Sequence, residues 1–512
     1  MNGKPVNRFL VAGGMLVFAA LACTRGPTEI VGRVTPVGTQ FFTPTPRPVP
    51  TLVRQVATPE PVQGPTPTRP PIAEDVPLVY VVQAGDTLEL IADRFDVPAD
   101  SIVALNALEP GEEVEIDDVI YIPARLSGSG PSFRIVPNSE MVYSLGAIGF
   151  DTELFVQSQG GHLARYREFV QSQMRTGAEI VQLVADQHSV NPRLLLALVE
   201  FQSGWVANPD PPADLVYPLG YQNPRRQGFF QQLDWAADTL NLGYYRWRDA
   251  SLQALEFRDG QQIRVAPTVN AGTVAVQYLF SQIYDKAGWE VAVGESGVYD
   301  AYFSLMGDPF EHAVEPLIPP GLNQPTLQLP FMPDRKWLFI GGPHPAWEAG
   351  SPWAALDLAP PSMESGCVKS EEWVTAPAPG LVVRADNGIL MLDLDGDGHH
   401  QSGWVVFILH ISSDQITPVG RFVETGDLLG HPSCEGGRSL GTHIHIARKY
   451  NGEWVPADGE APFELGGWTA HFGDRAYAGT MTSGGDSIRA CECSSEVAGI
   501  WIGRGGEAAN SE

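Results

Sequence analysis

Basic residues are scarce in this chain: among 512 residues, 32 are Lys or Arg against 60 Asp or Glu, a formal net charge of -28. Phosphate backbones are gripped by clustered Lys and Arg, so this balance argues against a nucleic-acid partner. It argues equally against docking on an anionic surface through a basic patch. Cysteine is scarcer still, with five in all, and apart from Cys23 they lie in the last third, at Cys367, Cys434, Cys491 and Cys493. Their spacing lacks the Cys-x-x-Cys pairs of a structural zinc knuckle. The N-terminal apolar run, Phe9 to Leu21, falls short of the ~20 residues that a membrane span needs. What is present is material for cores. The chain is 43% hydrophobic and only 18% charged, and its length suits two to four domains.

The first 23 residues join a basic start, Lys4 and Arg8, to that short uncharged run, and so read as a secretory signal. The run ends Ala20-Leu21-Ala22-Cys23, which resembles the lipobox of bacterial lipoproteins. That resemblance implies cleavage before Cys23, lipidation of its thiol, and an exported protein anchored on the outer face of the membrane in a bacterial cell envelope. The four cysteines that remain suit two disulfides in an exported domain. Three pairings are open, of which Cys491–Cys493 is the least attractive because so short a loop strains the bond. Residues 24–75 are rich in Pro and Thr, as in Thr43-Pro44-Thr45-Pro46. Such a segment has too little apolar surface to pack and favours extended polyproline II, a disordered stalk.

Residues 77–124 have the texture of a small module. Tyr80-Val81-Val82 reads as a strand and Gly85-Asp86-Thr87 as a turn. Leu88 to Phe95 is expected to be a helix capped by Asp86, with Glu89 placed as in a capping box. Asp100 is expected to cap a second helix carrying Ile102, Leu105 and Asn106, and Ile120-Tyr121-Ile122-Pro123 closes the sheet. This βααβ pattern resembles the LysM module, through Tyr80, Val82, Gly85-Asp86-Thr87-Leu88, Ile91-Ala92, Phe95, Val97, Asn106 and Ile122-Pro123. The resemblance implies binding of N-acetylglucosamine-containing glycan, with Gly85, Asp86 and Thr87 in the binding turn.

Beyond a linker at 126–131, residues 132–322 read as mostly helical. Ala164 to His188 is expected to form one long helix, and Phe229 to Trp247 and Val274 to Tyr284 two more. Asn191-Pro192 reads as an N-cap followed by proline at the first helical position, opening a helix that runs to Ser203-Gly204-Trp205. That apolar run ending in Ser-Gly-Trp resembles the helix bearing the catalytic acid in lysozyme-like lytic transglycosylases. The acid's position is Gln202 here, which has no proton to give. Glu200 lies two residues earlier, about 200° around the helix. The expectation is an α-rich lysozyme-like domain without glycosidase activity.

From about Gln324 the texture turns to short β-rich runs. Gly441-Thr442-His443-Ile444-His445-Ile446 is its sharpest feature. On a strand, residues i and i+2 share a face, so His443 and His445 project into one site. His344 follows Gly341-Gly342-Pro343 and is expected in a tight loop. Asp357 is a lone carboxylate in the hydrophobic run Ala354 to Leu358, and His410 ends the buried strand Trp404 to Ile411. A buried unpaired carboxylate is costly and usually has a partner. Two His and one carboxylate with an open position make a catalytic zinc arrangement. By contrast, Asp393-x-Asp395-x-Asp397 reads as a hairpin turn, because an EF-hand's twelfth-position Glu is replaced by Trp404.

This set resembles the lysostaphin and beta-lytic endopeptidases, metallopeptidase family twenty-three, over about 324–480. The long His344–Asp357 gap is similar to the beta-lytic branch, and Leu429-Gly430, Gly436-Gly437 and Gly441-Thr442 fit its glycine-rich approach. The resemblance implies an antiparallel-β metallopeptidase domain over 324–503. It implies Zn²⁺ on His344, Asp357 and His445, with His443 and His410 as catalytic residues. It also implies peptidoglycan as partner, with its peptide cross-links as substrate. Cys367 and Cys434 are expected to staple loops around the site. The alternative is a non-catalytic peptidoglycan-binding scaffold or amidase activator that keeps the peptidase fold.

Overall fold

The computed structural model describes residues 77–83, 85–109, 111–124, 128–210, 215–362, 365–491 and 498–501. The expected signal, Cys23 and the stalk lie outside them. The first module is β1 (Leu78–Val81), α1 (Leu88–Phe95), α2 (Ala99–Asn106) and β2 (Val119–Ile122), with β1 antiparallel to β2. Tyr80, Val82, Ile91, Phe95, Ile102, Ile120 and Ile122 close a separate small core. The caps differ from expectation. Thr87, not Asp86, caps α1, its Oγ1 accepting from Leu90 N at 3.2 Å. Asp86 is drawn inward instead, where Tyr80 Oη (2.6 Å), Gln83 N (2.8 Å) and the Arg94 guanidinium all donate to it. α2 begins after Pro98 with no side-chain cap, so Asp100 stands inside its first turn.

In the next region the expected helix from Ala164 to His188 is half hairpin. β3 (Arg167–Val170) and β4 (Gln173–Thr176) pair around Gln171 and Ser172, both in left-handed backbone, and α3 starts only at Gly177 and runs to His188. Thr176 and Glu179 form a reciprocal capping box there, which fixes the helix start and releases the preceding residues. α4 (Pro192–Ser203) opens on Asn191, whose Oδ1 accepts from Arg193 N at 3.0 Å. α5 (Phe229–Arg248) and α6 (Ala271–Ser281) pack against each other. Gln202 is held by Leu219 O and Tyr284 Oη, at 2.8 and 2.6 Å. Glu200 accepts from Val206 N and Ala207 N, both at 3.0 Å, and so caps the chain leaving α4.

The last region is built on an antiparallel sheet of nine strands among the described residues. They include β5 (Lys336–Pro345), β6 (Trp353–Ala359), β7 (Gly380–Asp386), β8 (Ile389–Asp393), β9 (Trp404–Leu409), β10 (Phe422–Val423), β11 (Ile444–Tyr450) and β12 (Gly499–Trp501). Their spatial order is β10-β7-β8-β9-β11-β6-β5-β12, and Glu453–Trp454 pairs on β11. Alternate residues enter two different cores, as the period-two geometry of strands requires. Leu356, Leu358, Leu390, Val406, Ile408, Ile444 and Ile446 face one, within the sheet-bearing region. Ile389, Met391, Val405, Phe407, Leu409 and Ala447 face the other, which they share with α3 to α6. The helical region therefore packs against this face of the central strands β8, β9 and β11. Close backbone approach marks the contact, since a Cβ on Gly452 would lie 2.1 Å from Tyr143 O.

A lysine is buried in this contact. The Lys449 ammonium lies 4.2 Å from the centre of the Trp454 ring and donates to Ser189 Oγ at 3.0 Å. Burial pushes its pKa from 10.5 down to about 7, with Asp186 opposing the shift and Arg384 adding to it. Between those pH values the unfolded chain binds a proton that the folded chain does not. Stability therefore rises with pH across that window, and the cost of the buried charge is fully felt below it. Lys449→Met is expected to raise the thermal midpoint more at pH 6 than at pH 10, read by calorimetry; an equal gain at both would refute the assignment.

Candidate metal centre

β6 is the strand that assembles the site. Asp357 stands in register with His445 on one neighbour, β11, and with Gly341 on the other, β5. Glycine at 341 leaves room for the carboxylate, because a Cβ there would sit 2.6 Å from Asp357 Oδ2. His344 lies within β5, not in the expected loop; register shifts on either side of it, including one from Gly341 to His344, bring its ring over the same face. His445 pairs with Leu409 at the end of β9, and the next residue, His410, turns off the strand in left-handed backbone, φ 67°. His443 stands just before β11. The five side chains come from four adjacent strands or their ends, and all five residues are buried.

Backbone carbonyls decide which ring nitrogens carry protons, since a carbonyl only accepts. His344 Nδ1 donates to Gly342 O at 2.8 Å, so its Nε2 bears a lone pair. His445 Nε2 donates to Ala346 O at 2.9 Å, leaving Nδ1 bare. These two bare nitrogens stand 2.9 Å apart, and Asp357 Oδ1 lies 3.3 Å from the first and 3.4 Å from the second. Ligand atoms of a tetrahedral zinc, at ~2.0–2.1 Å from the metal, are separated by about 3.3 Å, close to what is seen. Asp357 Oδ1 is also a buried acceptor with no hydrogen-bond partner, an arrangement that is costly unless a cation answers it. Burial alone would raise the Asp357 pKa, but the adjoining imidazoles, His344 first and then His445, hold it well below the usual carboxylate range. Burial lowers the His344 pKa too, yet Asp357 outweighs this and raises it. The triad thus draws in positive charge, for which a proton and a metal compete.

His410 and His443 face this triad from one side, their ring centres 4.5 Å apart. Their Nδ1 atoms donate to Glu435 O at 2.8 Å and to Gly441 O at 2.7 Å, so both present Nε2. Burial, then the charge of His443, pushes the His410 pKa down to about 4, which leaves it neutral at pH 7. Tyr477 forms another wall, with its ring stacked on His344 at 4.1 Å between centres and about half exposed. No sequence pattern marks it: it lies on a turn whose backbone bonds to Gly342 and Pro343 hold it in left-handed conformation. Cys367 and Cys434 are joined by a disulfide beside the site. Cys491 is disulfide-bonded as well; Cys493 lies outside the described residues.

The other candidates fall elsewhere. Gly85 is exposed at the first module's turn, Asp86 is buried against Arg94, and Thr87 is spent on its cap. Asp393, Asp395 and Asp397 shape the turn from β8 to β9, with Asp393 accepting from Asp395 N, Gly396 N and Gly398 N.

Comparison with known proteins gives the chain its relatives. The family model of the LasA N-terminal domain matches residues 134–319, and that of the LysM domain residues 80–123. Protease LasA of Pseudomonas aeruginosa strain UCBPP-PA14 is 25% identical over 371 residues, covering 67% of this chain and 80% of the protease. The same protease from strain PAO1 is 24% identical over 374 residues, with the same coverage of both chains. Among solved structures, the M23 metalloprotease pseudoalterin, from the deep sea, is 24% identical with a TM-score of 0.28, covering 33% of this chain and 96% of its own. The catalytic domain of lysostaphin from Staphylococcus simulans is 23% identical with a TM-score of 0.18, covering 24% and 90%. The chain is therefore similar to protease LasA over 67% of its length, and its LysM match precedes its LasA N-terminal-domain match.

Chelation is expected to lower the protein's thermal midpoint, and added zinc to restore it, because a ligand that binds only the folded state stabilises it. Asp357→Ala should abolish that zinc-dependent shift. An unchanged midpoint through chelation, with metal content verified, would remove the metal assignment.

Proposed function

We propose that this protein is an exported zinc endopeptidase that hydrolyses peptide cross-links of peptidoglycan, with the LysM domain supplying affinity for glycan. The single observation that carries the reading is the buried His344–Asp357–His445 triad with two unprotonated nitrogens and an orphaned carboxylate oxygen, flanked by two further imidazoles. Its likeness to protease LasA, a protein described as a protease, supports the reading. Cys23, outside the described residues, is proposed to carry a lipid that fixes the protein to the outer face of the membrane.

His344 Nε2, His445 Nδ1 and Asp357 Oδ1 would hold the metal, with Gly342 O and Ala346 O keeping both rings in the required tautomer. A metal so held supplies Lewis acidity, polarising the scissile carbonyl and bringing the pKa of a water towards ~7. The chain's own groups do the proton work. His410 and His443 each present a lone pair at Nε2 and can take the proton of the attacking water. His410, whose basicity burial depresses, is a strong acid once protonated and is suited to return that proton to the leaving amine. Protonated imidazole beside the triad also stabilises developing negative charge on the carbonyl oxygen. Tyr477 limits where the peptide can lie. The middle region adds no acid where a transglycosylase would carry one, because Gln202 is bonded on both sides and Glu200 serves as a cap.

The test is digestion of purified muropeptides by the zinc-loaded protein, with His445→Ala alongside and products read by mass spectrometry. Cleavage of a stem or bridge peptide is expected, lost in the variant and on chelation. No cleavage across several wall types by metal-loaded protein would overturn the enzyme reading in favour of a wall-binding scaffold.

A further inference from the structure

We infer that the Cys367–Cys434 disulfide is a positioning device for His410 and His443: it pins the loop that orients both imidazoles, while leaving the metal triad to be held by the sheet. This deepens the proposed function and rests on it for the roles of the two histidines.

The two rings leave adjacent strand ends, His410 just after β9 and His443 just before β11. Both Nδ1 anchors, Glu435 O and Gly441 O, belong to the intervening segment Pro432–Gly441. That segment forms no regular strand, so local bonds must hold it against its conformational entropy. The bonds converge on Cys434. Ser433 N donates to His410 O at 2.7 Å, and His443 N donates to Ser433 O. Ser439 Oγ lies 3.3 Å from both Cys434 Sγ and His443 Nδ1, and donates to Gly441 O at 2.7 Å. Across the disulfide, the loop bearing Cys367 grips the other end of the same segment. Val368 N donates to Thr442 Oγ1 at 2.9 Å, and Thr442 N to Gly366 O at 3.1 Å. The disulfide thus ties together the two pieces of chain that set both imidazoles. The triad's anchors, Gly342 O and Ala346 O, lie on or beside β5, away from the stapled loops. The bond is also reachable, because both cysteines line a cavity of about 360 Å³ together with Lys369, Ser412, His431 and Glu435.

The experiment compares zinc-loaded wild type with Cys367→Ser/Cys434→Ser by NMR of histidine-selectively ¹⁵N-labelled protein, and in parallel by muropeptide kinetics. In the wild type, the imidazole N–H protons of His344, His410, His443 and His445, each bonded to a backbone carbonyl, are expected to be among those that exchange slowly. In the variant, those of His410 and His443 should be lost and those of His344 and His445 retained. Zinc should stay bound, and kcat should fall about 10-fold or more with KM within about 2-fold, as loss of aligned proton transfer predicts. Retention of all four signals overturns the inference, whatever the kinetics. If the variant does not fold, folded wild type is treated with a phosphine reductant and the same four signals are read; selective loss supports the inference and full retention overturns it. Selective loss in a protein whose wild type cleaves no muropeptide would leave the positioning intact and defeat the peptidase reading instead.

Discussion

A carboxylate placed in the middle of a sheet sets the terms for this molecule. Asp357 lies between two strands that leave its Oδ1 with no hydrogen-bond donor and face it with two bare imidazole nitrogens. Nothing in the register of β5, β6 and β11 compels this arrangement for packing, since Leu356 and Leu358 on the same strand already fill the opposite core. An aliphatic residue at 357 would satisfy the sheet. The strands carry a costly group at their centre, and the cost is offset only by positive charge held among the three side chains. The Gly341 gap, the register shifts of β5 and the burial of the whole cluster all follow from making room for it.

The rest of the site is organised by main-chain carbonyls. Four of them, at Gly342, Ala346, Glu435 and Gly441, each take one imidazole proton and thereby decide which nitrogen is left for chemistry. The result is a division of labour. In the triad, a sheet-borne pair of anchors leaves Nε2 of one ring and Nδ1 of the other, so that the two converge. In the facing pair, a loop-borne set of anchors leaves Nε2 on both rings, so that they stand side by side.

The parts of this site that follow strand periodicity could be read from the sequence. His443 and His445 share a face because they stand two positions apart on a strand, with Ile444 between them, and Asp357 stands out because nothing else in its run is polar. Positions set by backbone could not be read. The carbonyl anchors have no side-chain signature, and Tyr477 reaches His344 from a turn 32 residues beyond His445, without a pattern to announce it. His344 was expected in a loop because Gly-Gly-Pro usually breaks a strand; here the glycine makes way for a neighbouring carboxylate inside one. The hairpin inside the stretch from Ala164 to His188 is equally unmarked in the sequence. Its strands, Arg167–Val170 and Gln173–Thr176, carry no period-two alternation of apolar residues, and the cross-strand partners Phe169 and Met174 are largely exposed, 67% and 64%. The continuous apolar run Trp404 to Ile411 revealed a strand buried on both faces, but not that a helical region supplies the second cover.

That cover has a topological meaning. Since α3 to α6 and the sheet share one core, neither side retains a closed surface without the other: separated, the sheet would present Met391, Val405, Phe407 and Ala447 to water, and the helices their matching face. A protease that nicked the connecting stretch between the two regions would cut a covalent link without parting them. The shared core would still hold the halves together, and freeing the sheet-bearing half would require a second event acting on the contact itself.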